Sequence, residues 1–533
     1  MTSSPTTPPT PPTPLLPSAL IFPHLSAPIS THLGALRRTT LSLPNRLRSI
    51  LADARFAACV AAAFARPLVA NERCGSWYIP PERKAAGVYF KSTDGHWGQW
   101  GFSTRRLNLG VLGVVEAGNG CVIVDSTRRG KRMPDALSKT VPIWCAVLNR
   151  ALFPDQPEAH RLHTPPQCVA ASEHAQIEAR LDGFVEQLKD LALDLPSLRA
   201  QLSKPLRPLW ITQDSQLPPE PPSFPDFHPV ILCTASRRVE GPEASAGGYI
   251  QGAGDDAEAW ACGLTPPVFW AHRDALMAAA EDELEEIIRG LVRETKEAGG
   301  TRTADVSGGS GAEKRSSPTL IKPADGVYLG TLDDLQDEDM VDGFDAVIYC
   351  ADRDVLPTHA ATLSIPAPSS ASSPPPSQPH PDAKKPSKIL RLHTAAGKLG
   401  SRDLRRELPR AAAHVGGLLG GSAGGDGEGE GEGKTRKILV ACATGRDLAV
   451  GVLVMLLCLF FDDNGAPIHP IPYSAEDTLA HHYPAVDKKL VRRRLGWVSV
   501  ARPDANPARA TLVAVNAFLM GRPEWWDGRG CGG

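Results

Sequence analysis

A chain of 533 residues has room for two hydrophobic cores. Its 42% hydrophobic and 22% charged residues are ordinary for a water-soluble protein, and a net charge of −2 neither demands nor excludes RNA, because a local patch can do the binding. The 11 cysteines form no CxxC pair, which argues for reduced thiols and against a structural zinc site, and the longest apolar run, Leu448–Phe461, is too short to cross a bilayer.

Residues 1–35 are rich in Pro, Thr and Ser and predict a disordered tail. No acid precedes Asp53, while Arg37, Arg38, Arg46 and Arg48 do, as in a transit peptide. The prolines spoil the amphipathic helix such a peptide needs, so a cytoplasmic tail is expected. Asn45 is expected to cap a helix to about Ala65, with Leu47, Ile50, Leu51 and Ala54 on one side. A loop-rich stretch follows, with short strands around Val88–Phe90 and Trp100–Ser103. It holds Arg73, Lys91, Asp94, His96, Arg105 and Arg106 among Trp77, Tyr78, Trp97 and Trp100. Alternating cations and aromatics bind RNA through phosphate contacts and base stacking. A small aromatic core with its cations outside fits the spacing equally well. Cys74 reads as a packing residue and His96 as a structural histidine.

Cys121–Arg150 is the most informative stretch. Cys121–Asp125 has the pattern of a short buried strand. The loop after it carries Ser126, Thr127, Arg128, Arg129, Lys131 and Arg132 around Gly130. Pro134 opens a helix whose Leu137, Val141, Trp144, Cys145 and Leu148 share one face, with a kink or break at Pro142. Six Lys/Arg, including Lys139, against two Asp give this stretch +4. Strand, basic loop and helix N-terminus together suit a phosphate.

Further on, a helix is expected from about Ser172 to Leu193, with Ile177, Leu181, Phe184, Leu188 and Leu191 as its core stripe. Lys204–Thr212 and His228–Arg238 read as strands. Gly248–Trp260 is a glycine-rich loop with Asp255 and Asp256, acids that can serve a ribose, Mg²⁺ or an oxocarbenium-like centre. Alternatively they satisfy backbone donors at a helix N-terminus. A helix from Ala275 to Lys296 closes the first domain, set at 36–297, and 298–318 is a linker.

The second domain, 319–525, has a strand at Ala346–Cys350, low-complexity inserts near 367–388 and 420–434, a helix around Arg402–Val415 and a last helix near Ala508–Leu519. Its strand–loop–helix at Lys437–Phe460 resembles the phosphate loop of cysteine-dependent phosphatases. Cys442 and Gly445 stand where that loop needs them, and Thr444 and Arg446 lie beside them. The expected histidine is Ala441, the clamping arginine is Leu448, and Asp447 puts an anion in the loop. The reading is a phosphatase-like fold with a repurposed anion site; a purely structural loop competes with it.

The run DSTRRGKRMPDALSKTVPIWCAVLN resembles the initiator-tRNA ribosylphosphate transferases of fungi and plants. So do NERCGSWY, YFKSTDGHWGQWGFSTRRLNL, KPLRPLW, GYIQGAGDDAEAW and GKLGSRDLR, from about Arg46 to Ala510. The resemblance implies an enzyme that takes ribosyl phosphate from phosphoribosyl pyrophosphate. It attaches the group to the 2′-OH of adenosine 64 in the T stem of initiator methionine tRNA, marking that tRNA for initiation. The expected class is α/β, a mixed α+β N-terminal domain followed by a phosphatase-like α/β domain. Candidate catalytic groups are Asp94, Asp125, Asp255 and Asp256, with Mg²⁺ as cofactor. Candidate substrate-binding groups are Arg73, Lys91, Arg105, Arg106, Ser126, Thr127, Arg128, Arg129, Lys131, Arg132, Lys139, Cys442, Thr444, Gly445 and Arg446. The rival readings are a non-catalytic tRNA- or phosphate-binding protein and a phosphatase, the latter weakened by Leu448.

Overall fold

The computed structural model describes residues 41–239, 248–299, 318–352, 388–395, 399–420, 435–468 and 486–521. The expected tail, nearly all of the linker and nearly all of both inserts lie outside the described residues.

Five strands form the first sheet: β1 (Leu68–Asn71), β2 (Lys84–Val88), β3 (Cys121–Asp125), β4 (Leu206–Ile211) and β5 (His228–Thr234). Their order is β2-β1-β3-β5-β4, and every pair is parallel. A strand covered on both faces reads as an unbroken apolar run, which explains the fully buried CVIVD of β3. On one face Val69, Ile123, Val230 and Leu232 pack with the helix Val141–Leu152. On the other, Leu68, Val122, Val124 and Ile231 pack with the helix Leu43–Phe64.

The second sheet has the order β6-β7-β10-β8-β9, from β6 (Thr319–Leu320), β7 (Val327–Thr331), β8 (Ala346–Ala351), β9 (Ile389–His393) and β10 (Ile438–Cys442). Only the short β6 is antiparallel to its neighbour. The helix Leu448–Phe460 is apolar all round and almost wholly buried, as expected of a helix in the centre of a core. Helices Gly400–Gly420, Lys488–Ala501 and Arg509–Met520 pack around it. No helix among the described residues is long and apolar enough to cross a membrane.

Several local expectations change. Ser42, not Asn45, stands at the N-cap of Leu43–Phe64; Pro44 occupies the first turn, where its missing donor costs nothing. Trp100–Ser103 is irregular, because its backbone pairs with a loop (Gly101 N to Asp94 O, 3.0 Å) and not with a strand. The helix expected over 172–193 breaks into Ala171–Glu178 and Leu181–Lys189, although its whole apolar stripe is buried. That over 275–296 breaks into Arg273–Ala278 and Leu284–Gly299. At Pro142 the break falls one turn early: a wide π-turn, Ala136–Thr140, leads into the α-helix.

The two domains meet through loops and helices. Leu193 packs against both cores, and Arg493 Nε donates to Asp190 O at 3.3 Å. Gly110 lies against Pro503.

Candidate active site at the carboxyl edge of the first sheet

In an open parallel sheet, ligands bind beyond the carboxyl ends of the strands where the strand order reverses. Here that place lies beyond β1 and β3. The segment leaving β1 supplies Arg73 and Cys74, and the one leaving β3 supplies Asp125 to Arg132.

Arg73 and Asp125 form the centre. Arg73 Nη2 donates to Asp125 Oδ1 at 2.8 Å, to Asp255 Oδ1 at 3.3 Å and to the carbonyl of Ser126. Asp125 is fully buried. It also accepts from Asn71 Nδ2 at 2.8 Å, Cys74 Sγ at 3.0 Å and its neighbour's amide, Ser126 N, at 2.7 Å. Its lone pairs are therefore filled by protein donors, which makes it an anchor for Arg73 and a poor candidate for proton transfer. Burial pushes the Cys74 thiol well above its ordinary pKa, and Asp125 and Asp255 push it further. Cys74 is a donor to Asp125, in keeping with a packing role.

The glycine-rich loop closes over this centre. Gln251 Nε2 donates to Lys131 O at 2.8 Å, and Tyr78 Oη accepts from Gly254 N at 2.8 Å while donating to Ser126 Oγ at 3.0 Å. These bonds bring Asp255 to Arg73. Burial raises the Asp255 carboxyl above the ordinary Asp range, and the Arg73 charge opposes the rise. Asp256 is exposed in a left-handed conformation (φ 49°) at the start of the four-residue helix Ala257–Trp260, with no side-chain cap bond. The expectation that these acids cap a helix therefore fails.

Two adjoining clefts result. One, about 180 Å³, is lined by Arg73, Thr127, Arg128, Lys131, Asp255 and Asp256, with Ser92, His96, Pro134 and Asp135. The other, about 470 Å³, is lined by Lys131, Arg132, Ser138, Gln167, Cys168 and Arg238, among others. Lys131 and Asp135 line both. Thus the four basic side chains of the 128–132 loop divide: Gly130 turns the chain at φ 87°, and Arg129 is exposed away from either lining. Lys131 reaches Asp135 Oδ2 at 2.6 Å, and Arg132 Nη1 reaches Gln167 Oε1 at 2.6 Å.

Other expected residues lie elsewhere. Lys139 is buried, held by Glu173 at 2.9 Å and Asp135 at 3.1 Å, so its ammonium is neutralised within the fold. Burial would raise Asp135, but Lys131 and Lys139 outweigh it and hold that carboxyl below its ordinary value. Lys91 and Asp94 sit at the Ser92–Gly95 turn, outside both linings; burial raises Asp94. Trp77, Tyr78 and Trp100 are buried, and among the four aromatics singled out above only Trp97 is exposed. The aromatic-core reading wins over base stacking. Sequence reasoning missed Ser92, Asp135 and the cleft position of His96. Only Asp135 left a signal, its i, i+4 spacing to both Lys131 and Lys139.

Arg105 and Arg106 line neither cleft and lie at the junction of the two domains. There Arg105 Nη2 donates to Pro507 O at 2.8 Å and Arg106 Nη2 to Asn506 Oδ1 at 3.0 Å. Arg106 also stacks on Tyr89, 3.6 Å from the ring centre.

The Cys442–Leu448 loop stands at the same junction, between β10 and the buried helix. Asp447 does not put a charge into it. Its carboxylate turns away and accepts from Ala508 N at 2.8 Å and Thr511 Oγ1 at 2.6 Å, capping Arg509–Met520. The amides of Gly445 and Arg446 are satisfied inside the loop by Cys442 O (3.2 Å) and Thr444 Oγ1 (3.3 Å). These two amides are therefore not free donors for a phosphoryl group. Arg446 Nε turns to Asp504 Oδ2 at 2.9 Å.

The family model described as the Rit1 N-terminal domain matches residues 36–293, and the Rit1 DUSP-like domain matches residues 388–519. An uncharacterised protein of Schizosaccharomyces pombe is 35% identical over 485 residues, 89% of this chain and 94% of that one. The Saccharomyces cerevisiae protein named tRNA A64-2′-O-ribosylphosphate transferase is 31% identical over 521 residues, 91% of this chain and 93% of that one. Among solved structures, the Yvh1 phosphatase domain of Chaetomium thermophilum is 18% identical and covers 39% of this chain and 95% of its own, with a TM-score of 0.23, too slight an overlap to bear on the fold. With both of its domain models matched in order and two relatives aligned along nearly their whole length, the chain belongs to the Rit1 family.

Proposed function

We propose that this chain transfers a ribosyl phosphate to the 2′-oxygen of a tRNA adenosine. The finer reading names phosphoribosyl pyrophosphate as donor and position 64 of initiator methionine tRNA as acceptor, with the reaction in the cytoplasm. The observation that carries it is the convergence of Arg73, Asp255 and the basic loop beyond β1 and β3. The named yeast relative supplies the reaction class.

In this reaction the acceptor 2′-oxygen bonds to C1 of the donor ribose as the C1–oxygen bond to pyrophosphate breaks. The hydroxyl proton needs a base. Asp255 is the best placed: it lines the cleft, and burial brings its pKa toward the working range of a general base. Arg73, fixed by Asp125, and Arg128 and Lys131 across the cleft provide the charge that receives a departing pyrophosphate. Among the described residues no three His, Cys, Asp or Glu side chains converge, so there is no protein cage for a metal. Asp256, exposed on the same cleft, fits the mode in which Mg²⁺ is held by one carboxylate together with substrate phosphates. Bound there, Mg²⁺ would neutralise charge on the leaving group.

The test is incubation with phosphoribosyl pyrophosphate, Mg²⁺ and unmodified initiator tRNA, followed by nucleoside mass analysis. An adenosine heavier by one ribosyl phosphate is expected. Its absence, with the tRNA intact, would overturn the reading.

A further inference from the structure

We propose that the junction of the two sheets is a second RNA contact, a phosphodiester-binding track formed by Arg105, Arg446, Arg502 and Arg509. It rests on the tRNA reading above, and it concerns the backbone of the acceptor and not the reacting sugar.

The feature that points to it is Arg502, at the end of the helix Lys488–Ala501. Gly445 has φ 64°, and a β-carbon there would come within 3.0 Å of Arg502 Nη2. The guanidinium therefore lies over the phosphatase-like loop, which lacks its own arginine at Leu448. Arg502 is held by Asp504 Oδ1 through Nε (3.2 Å) and by Leu329 O through Nη1 (3.4 Å), and among the described residues Nη2 makes no hydrogen bond.

Neighbouring cations are tied to it in a chain. Arg446 shares Asp504 with Arg502, Arg446 O accepts from Asn506 N at 2.8 Å, and Asn506 and Pro507 receive Arg106 and Arg105 from the first sheet. Arg509 stands exposed two residues further on. Asp504 pairs with both Arg446 and Arg502, while Asp447 is turned to the last helix. Burial lowers the Arg105 pKa, and repulsion from Arg106 and Arg509 lowers it further, as expected where cations crowd without enough counter-charge.

Two observations favour a backbone phosphate over a phosphate monoester. The amides of Gly445 and Arg446 already have partners inside the loop, and Leu448 stands where a clamping arginine would grip a monoester. The cations also come from both domains, which matches a polyanion better than a single phosphate. Ala443 and Thr444 are exposed at the crown of the loop, so a strand of RNA can approach.

The test is full-length protein binding to labelled initiator tRNA over a salt series, with Arg502→Gln, Arg446→Gln and Arg509→Gln, and Arg289→Gln as control. Each junction variant should lower the slope of log affinity against log salt by about 0.7–0.9, as one lost phosphate contact does. Each should also weaken binding roughly tenfold, with the loss falling on KM for tRNA and not on kcat. The control should match wild type. Arg509 is exposed and Arg446 is half-buried at the loop, so their variants keep the test valid should Arg502→Gln unfold. Wild-type slope and affinity in all three variants would overturn the proposal while leaving the transfer reaction standing. Failure of wild-type protein to modify tRNA would instead sink the functional reading.

Discussion

Asp125 and Asp255 contact the same arginine and should fail differently. Asp125→Ala strands Arg73 without its buried partner, a change that costs about 3–5 kcal/mol, so the expected outcome is a large fall in Tm. Asp255→Asn should leave Tm close to wild type and slow transfer by roughly 10²–10⁴-fold at saturating tRNA. In wild type the acid limb of the rate profile should lie above the ordinary Asp range, since a base with a raised pKa loses its proton only at higher pH; Asp255→Asn should remove that limb. Stopped single-turnover assays across pH, beside thermal melts, separate the two residues. Asp53 provides a third contrast. It is fully buried, accepts from Tyr249 at 2.8 Å and Gln213 at 2.9 Å through one oxygen, leaves the other without a hydrogen-bond partner among the described residues, and has its pKa raised by burial to about 8. A raised carboxyl stabilises the fold below the unfolded pKa, and that contribution is lost as pH rises through the folded value. Tm should therefore decline from about pH 4 toward pH 8, and Asp53→Asn should flatten that decline. The residue types of the site were legible in the sequence, because a basic loop after an apolar strand has few other uses. Their partners were not: Arg73 meets an acid 52 positions away and another 182 away, and neither separation leaves a periodic signal.

At the level of elements, the strand–loop–helix units at β3 and β10 were readable because each is an apolar run that stops abruptly. Short strands such as β2 and β9 were not, since half their side chains are polar or exposed. The breaks in the 172–193 and 275–296 helices also escaped, because the apolar period continues across them. The Cys442 loop shows what a motif alone can mislead about. Asp447 read as an anion in the loop, whereas it caps a helix more than 60 positions on. Cys442 is buried at the foot of a loop in which the Gly445 and Arg446 amides bond internally, and ribosyl transfer gives a thiolate no step to perform. Cys442→Ser should keep most transfer activity, and the wild type should leave an aryl phosphate unhydrolysed. Gly445→Val should lose much of its activity, because a side chain at φ 64° is strained and would also collide with Arg502 and Gly330 O. A folded but inert Cys442→Ser protein in the tRNA assay would contradict this account of the loop.

Across the whole molecule, the two sheets should unfold together, because Leu193, Arg105, Arg106 and Arg493 tie them. Gly110 tests that coupling. A β-carbon there would lie 2.3 Å from Pro503 Cβ, so Gly110→Val should wedge the junction. Calorimetry should then resolve two transitions where the wild type gives one, and a single unshifted transition would show that the junction is not stabilising. A different consequence follows from the order β6-β7-β10-β8-β9. The central strand of the second sheet is the last of its five to leave the ribosome. At about 5–20 residues per second, the stretch from Ala351 to Ile438 takes on the order of ten seconds to synthesise. Through that interval β7 and β8 emerge with their inner edges unpaired, each a template for another nascent chain. The vulnerable moment for this protein thus falls in translation, before the phosphatase-like half exists, and chaperone demand should peak there.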